Sequence, residues 1–329
     1  MSRTTVADVL VDGLRRAGTP RLIGLAPGAR ADLPVLEAAR AIGLPVTLVS
    51  GETGGCIIAA VGGDLADAPG AVVIGDAPEA IAAAASGALA HAPVILITSG
   101  YPSSLPGCKE TLRVETESAA HRIAHAARLA MTEPRGPVHL DVPADVARRA
   151  AVPLATACRP DATPYPPAET LDRASHALSG ASRPLLLAGL HCRSSDAAQW
   201  LRAFVEALPA PLLTTVAAKG AVPDPHPLVL GVLGVAGVEQ RVLSRADLVV
   251  AVGLDPLEPV PASCWSTTPV LAFGPVAAPE GTAPATQVLG DVSAIIEELA
   301  GRLRDKPRAD WDVAELDRLR REGAARGAG

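Results

Sequence analysis

The sequence is poor in aromatic side chains, which make up 2% of its 329 residues. Any core must therefore be built from Ala, Val, Leu and Ile, and a hydrophobic content of 49% supplies them amply. Cysteine is scarce and scattered. Cys56, Cys108, Cys158, Cys192 and Cys264 are odd in number and include no CxxC pair, which excludes a disulfide framework and a zinc-finger arrangement. No apolar run reaches the length of a membrane span. Met1 to Thr5 lead straight into an amphipathic stretch, unlike a secretory signal. Basic residues do not cluster among aromatics and the formal net charge is -6, so nucleic acid is not an expected partner. Together these absences predict a soluble, cytoplasmic protein with no membrane partner. His121 and His125 stand four apart, but no third ligand completes a motif, so no metal site is expected.

What is present is a steady alternation of short apolar runs and helical patterns. Residues 5–17 place Val6, Val9, Leu10 and Leu14 on one side of a helix that Gly18 closes. A strand over 21–25, a helix over 32–41 and a buried strand over 45–49 follow. The next helix opens at Glu52, and Gly62 and Gly63 weaken its continuation beyond Val61. Strands over 71–74, 93–98 and 138–142 alternate with helices over 80–90 and 117–131. Prolines then crowd residues 150–167, which read as a semi-rigid linker. Beyond it come a helix over 168–178, a strand over 184–189, a helix over 196–208 and strands over 211–215 and 246–253. This order predicts an α/β fold of two doubly wound, mainly parallel-sheet domains joined by the Pro-rich linker. The expected limits are 1–150 for the first domain, 151–167 for the linker, 168–310 for the second domain and 311–329 for a helical or flexible tail.

Glu52 stands at the end of a strand and the start of a helix. Ligands of open α/β sheets bind at that end, so its carboxylate is a candidate ligand-facing group. It equally suits the positive end of the helix dipole, and position alone leaves both readings open. Lys109, in the loop over 103–113, could meet an anionic substrate group or be a solvated loop lysine.

Around Glu52 the sequence sets the first helix, the turn Leu22-Ile23-Gly24-Leu25-Ala26-Pro27-Gly28, then Ala68-Pro69-Gly70-Ala71-Val72 and finally Gly136-Pro137-Val138-His139-Leu140-Asp141-Val142-Pro143-Ala144-Asp145-Val146. That order resembles the pyrimidine-binding domain of thiamine diphosphate enzymes of the acetolactate synthase, benzoylformate decarboxylase and 2-hydroxyacyl-CoA lyase group. The second half carries Lys219-Gly220-Ala221-Val222-Pro223 with His226-Pro227, then Ala246-Asp247-Leu248-Val249 and Gly290-Asp291. It is similar to the central domain of the same enzymes.

The resemblance implies a catalytic role for Glu52, hydrogen-bonded to a ring nitrogen of the cofactor aminopyrimidine. It implies cofactor contacts at Pro27, Gly28, Gly51, Gly75, Asp76, Ala77 and Pro78, and a substrate contact at Lys109. Three departures stand out. Gly51 replaces a frequent histidine, Gly75-Asp76-Ala77-Pro78-Glu79 replaces a GPGxxN loop, and Lys109-Glu110 replaces a glutamine-glutamate pair. The family's third domain holds the diphosphate through a divalent metal, with a Gly-Asp-Gly triplet and a downstream asparagine. None of Gly63-Asp64, Gly75-Asp76 and Gly290-Asp291 is followed by glycine, and the sequence contains no asparagine. The implied protein is thus one subunit of a split enzyme using thiamine diphosphate, with Mg²⁺ held by a separate diphosphate-binding subunit. Its substrate would be a small 2-oxo acid, acyloin or acyl-CoA, and it would self-associate through the first domain, the helix over 80–90 being a suitable face. FAD or an adenine nucleotide is not expected, since no GxGxxG follows a strand. The alternative is a catalytically inactive homologue acting as scaffold or regulatory subunit.

Overall fold

A computed structural model describes residues 4–26, 34–74, 91–101, 103–235, 237–265, 268–303 and 309–327. The chain divides into two units, Met1–Asp161 and Ala162–Gly329, with the boundary inside the expected linker. The linker is not a bare spacer. Its first half lies on the first unit, where Cys158 is buried and the guanidinium of Arg16 donates to the Thr156 carbonyl at 2.7 Å.

In the first unit, strands β1 (Leu22–Leu25), β2 (Val46–Val49), β3 (Gly70–Val73), β4 (Val94–Thr98), β5 (Thr111–Arg113) and β6 (Val138–Asp141) form one sheet in the order β2-β1-β3-β4-β6-β5. Every pairing is parallel. The apolar runs divide by the period of two. Leu22, Ala71, Val73, Ile95 and Ile97 face the helices α1 (Val6–Ala17), α2 (Pro34–Ala41) and α4 (Ala119–Met131). Ile23, Val72, Ile74, Val94 and Leu96 face α3 (Glu52–Ala66). Helix α1 is closed at its start by a reciprocal capping box between Thr5 and Asp8 and at its end by Gly18 at φ +93°.

Three expectations change here. Strand β2 is not fully buried, because it forms one edge of the sheet and leaves Leu48 42% exposed. Strand β5, unanticipated within the loop, forms the other edge. Helix α3 continues past Val61 to Ala66. A Cβ on Gly63 would lie 2.7 Å from the Ala68 carbonyl oxygen and 2.9 Å from Gly70 Cα, so the glycine lets the helix close on β3 rather than ending it. The helix expected over 80–90 lies outside the described residues.

In the second unit, β7 (Pro184–Ala188), β8 (Leu212–Thr214), β9 (Val229–Val232), β10 (Leu248–Val252), β11 (Val270–Gly274) and β12 (Thr286–Leu289) form a parallel sheet in the order β12-β11-β10-β7-β8-β9. Helices α6 (Ala168–Gly180), α7 (Ser195–Ala207) and α9 (Val292–Arg302) cover one face. The short α5 (Ala144–Ala147) precedes the linker, and α8 (Glu239–Leu243) and α10 (Val313–Gly327) pack on the other face of this sheet. The tail is docked: Leu316 and Leu319 enter the core, and the Trp311 indole N–H donates to the Pro184 carbonyl at 2.9 Å.

Candidate functional site

The chain leaves β1 for β2 on one side and returns to β3 on the other, so the first sheet switches direction between β1 and β3. In open parallel sheets the crevice at that switch, outside the carboxyl ends of the strands, is where ligands bind. Pro27 and Gly28 follow β1, and Gly75, Asp76, Ala77 and Pro78 follow β3. These six positions therefore follow the two strands that flank the switch, although they lie outside the described residues.

Glu52 follows β2, the neighbour of β1, and is the first residue of α3. Gly51 caps the helix in extended conformation, with no side-chain cap. A carboxylate there is favoured by the helix dipole. The dipole alone requires no burial, yet Glu52 is only 6% exposed. One turn on, burial and then the negative charge of Glu52 push the Cys56 thiol up to about 12, so Cys56 is a packing group rather than a nucleophile. A Cβ at Gly51 would meet nothing within 4 Å, so steric need does not explain the glycine beside the carboxylate.

Lys109 is held elsewhere. Its ammonium donates to the carbonyls of Leu129 at 2.7 Å, Thr132 at 2.8 Å and Pro134 at 2.9 Å, which uses all three of its N–H groups at the end of α4. Burial lowers its pKa, against the nearby charge of Glu133. His125 likewise has a local partner, its Nε2 lying 3.0 Å from Glu110. Among the described residues, no group of three His, Cys, Asp or Glu side chains is placed to hold a metal.

Sequence reasoning missed a buried polar cluster spanning β4, β5 and β6. His139 is fully buried, with Nε2 2.8 Å from the Thr98 hydroxyl and Nδ1 3.1 Å from that of Thr111. Burial holds its pKa below the usual range, with Asp141 opposing. Asp141 Oδ1 accepts the backbone N–H groups of Gly100 and Tyr101, each at 2.8 Å, and so fixes the turn after β4. Its Oδ2 lies 3.4 Å from an Arg113 guanidinium nitrogen and accepts no hydrogen bond. The available signal was the pair of polar residues in the otherwise apolar Val138-His139-Leu140-Asp141-Val142.

The second sheet switches between β7 and β10, and protein fills that point. Glu258, 9% exposed, accepts from the Thr215 hydroxyl at 2.5 Å and from the backbone N–H groups of Leu190 and Asp255 at 2.9 and 2.8 Å. Asp255 in turn faces His191 at 3.1 Å. A Cβ on Gly189 would lie 2.5 Å from both Glu258 Oε2 and Leu254 Cα.

Residues 171–299 match the family model described as the thiamine pyrophosphate enzyme central domain. The chain is 34% identical over 138 residues to the acetolactate synthase large subunit of Corynebacterium glutamicum, covering 40% of this chain and 22% of that protein. It is 34% identical over 149 residues to a probable 2-ketoarginine decarboxylase of Pseudomonas aeruginosa, covering 44% and 26%. With the oxalyl-CoA decarboxylase of Escherichia coli K12 it shares 30% over 155 residues, covering 45% and 27%. The matched stretches thus span 22 to 27% of these relatives. A solved structure from Mycobacterium smegmatis, assigned as thiamin diphosphate-dependent, superposes with a TM-score of 0.75 at 24% identity, covering 94% of this chain and 64% of that one. The two parallel-sheet α/β units are a fold shared with that structure. The second unit thus matches the thiamine pyrophosphate enzyme central domain over residues 171–299, and the first unit is described by fold and site geometry.

Proposed function

We propose that this chain is one subunit of a split thiamine diphosphate-dependent enzyme, a 2-oxo acid decarboxylase, carboligase or C–C lyase. The observation that carries the proposal is the Glu52 carboxylate, buried at the carboxyl edge of the first sheet beside the β1/β3 switch. The donor set fits the group. A buried carboxylate near the apolar Cys56 suits an aromatic nitrogen heterocycle. Pro27, Gly28, Gly51 and Gly75 to Pro78 would line the ring. When bound, thiamine diphosphate supplies the electron sink for making or breaking a bond at a carbonyl carbon. Glu52 would orient the pyrimidine ring through a carboxylate oxygen and exchange a proton there with the ring nitrogen.

In the proposed complex a separate polypeptide holds Mg²⁺ and the diphosphate. The Glu258 network occupies the second sheet's switch point, which supports a central domain that works without FAD or an adenine nucleotide. Self-association belongs to the same reading. The outer side of α3 exposes Ile57, Ile58, Val61 and Leu65, with no charged residue between Glu52 and Asp64. A Val61→Glu variant that sediments like the parent chain would remove this part of the proposal.

Glu52→Gln tests the central claim, because it keeps the shape and loses the carboxylate. In the complex reconstituted with its diphosphate-binding partner, thiamine diphosphate and Mg²⁺, turnover of a 2-oxo acid or acyloin should fall about 10²–10⁴-fold while assembly persists. The competing reading, a catalytically inactive scaffold or regulatory homologue, rests on the altered residues Gly51 and Gly75 to Glu79. An unchanged rate in the Glu52→Gln complex would establish that reading instead.

A further inference from the structure

A cleft of about 510 Å³ opens among Thr5, Thr116, Glu117, Arg148, Arg149 and Ala150. Thr116 and Glu117 lie just past the carboxyl end of β5, and Arg148 to Ala150 lie past β6 and the short α5. Thr5 is brought in by an antiparallel bridge to Ala150 and by the Val6 N–H donating to the Arg149 carbonyl at 2.9 Å. Strand β5 is at the opposite edge of the sheet from β2, which precedes Glu52. Five strand spacings separate the two edges, about 24 Å.

The charges around this cleft are unequally used. Arg149 is held by Asp145 at 2.6 Å, and the Thr5 hydroxyl is held by Asp8 at 2.7 Å. Arg148 makes only one long contact, 3.4 Å to the Ala144 carbonyl. Among the described residues Glu117 makes no ion pair, and Arg148 makes none either. A cation and a carboxylate therefore share the walls of one cleft without pairing with each other. The half-buried Thr116 also lines the cleft, with a hydroxyl able both to donate and to accept. No large apolar side chain lines the space, which is open to solvent.

We propose that this cleft binds a small zwitterion, a free α-amino acid, with its carboxylate on Arg148 and its ammonium on Glu117. A guanidinium presents a planar pair of donors to a carboxylate, and a carboxylate accepts from an ammonium. A ligand carrying both charges satisfies both walls at once, which an anion or a cation alone does not. Binding joins three segments distant in sequence, at Thr5, Glu117 and Arg148, so it stabilises the first unit. Both charges are solvent-exposed, which sets the expected dissociation constant on the order of 1 mM. The site is remote from Glu52 and does not rest on the function proposed for it.

The test is thermal unfolding of the full chain with L-alanine or L-serine. Pyruvate and ethylamine, each lacking one of the two charges, are added at matched ionic strength. The amino acids should raise the melting temperature progressively with concentration, by about 5–9 °C at about 50 mM, and the single-charge analogues should not. Arg148→Gln and Glu117→Gln should each weaken amino-acid binding about tenfold or more. Their ligand-free melting should be unchanged, because neither side chain holds the fold. Absence of a concentration-dependent shift with either amino acid up to about 50 mM overturns the proposal. So does a pyruvate response equal to that of alanine, or wild-type affinity in both variants.

Discussion

Two adjacent glycines of α3 should respond in opposite ways to the same substitution. At Gly63 a Cβ would fall 2.7 Å from the Ala68 carbonyl oxygen and 2.9 Å from Gly70 Cα, where ordinary contact begins near 3.4 Å. Both neighbours are backbone, so no side-chain rotation relieves the overlap. The backbone nitrogen of Gly70 lies closer still, so the end of α3 would have to move off β3 by roughly 1 Å, and a gap of that size forfeits about a quarter to a half of each affected contact. The contacts at stake include Ala59 and Ala60 of α3 against Ile23, Val72 and Ile74. Gly63→Ala should therefore cost about 3 kcal/mol, at the upper end of overpacking effects. For a unit of this size that lowers the melting temperature by about 6–12 °C. At Gly62 an added Cβ meets nothing within 4 Å. Gly62→Ala should instead stabilise by about 0.5–1 kcal/mol, through the lower backbone entropy of the unfolded chain and better helix propensity. Urea unfolding followed by circular dichroism measures both. Equal stabilities for the two variants would show that α3 does not pack on β3 at the described distance.

Glu258→Ala leaves the Thr215 hydroxyl and the Leu190 and Asp255 N–H groups without their acceptor, so the second unit should lose about 3–5 kcal/mol by denaturant unfolding, and Glu258→Gln less. His139 has a pKa lowered from its usual 6.5 chiefly by burial, so the unfolded chain binds more protons than the native one just below pH 6.5. Stability should then rise with pH from the folded pKa of His139 up to about 6.5. His139→Gln should flatten that slope by at most about 1.4 kcal/mol per pH unit, as read from urea midpoints across the window. Lys109→Met removes the donor that binds three carbonyls at the end of α4 and should destabilise the first unit by about 1–3 kcal/mol. Selective loss of substrate affinity in that variant, at unchanged stability, would instead support a substrate contact for Lys109.

The alternation of apolar runs and helical patterns was enough to announce two parallel-sheet units, because strands buried on both faces must be apolar throughout. The chain divides between Asp161 and Ala162, within the proline-crowded residues 150–167. The place of Glu52, at the end of a strand and the first turn of a helix, was also legible, since local sequence sets both. Its burial was not, because burial depends on what the rest of the sheet brings over it. Gly62 and Gly63 look alike in sequence, and only the approach of Gly70 and Ala68 separates a packing requirement from open space. Lys109 could be given two readings from its loop, and neither included its three carbonyl acceptors, because these lie 20 to 25 residues away. Strand order likewise escapes local pattern. The β1/β3 switch, which brings together residues following separate strands, exists only once the chain has crossed from β2 past β1 to lay down β3. Period and propensity act over a few residues, whereas the neighbours that bury a carboxylate or spend an ammonium come from segments far apart in the chain.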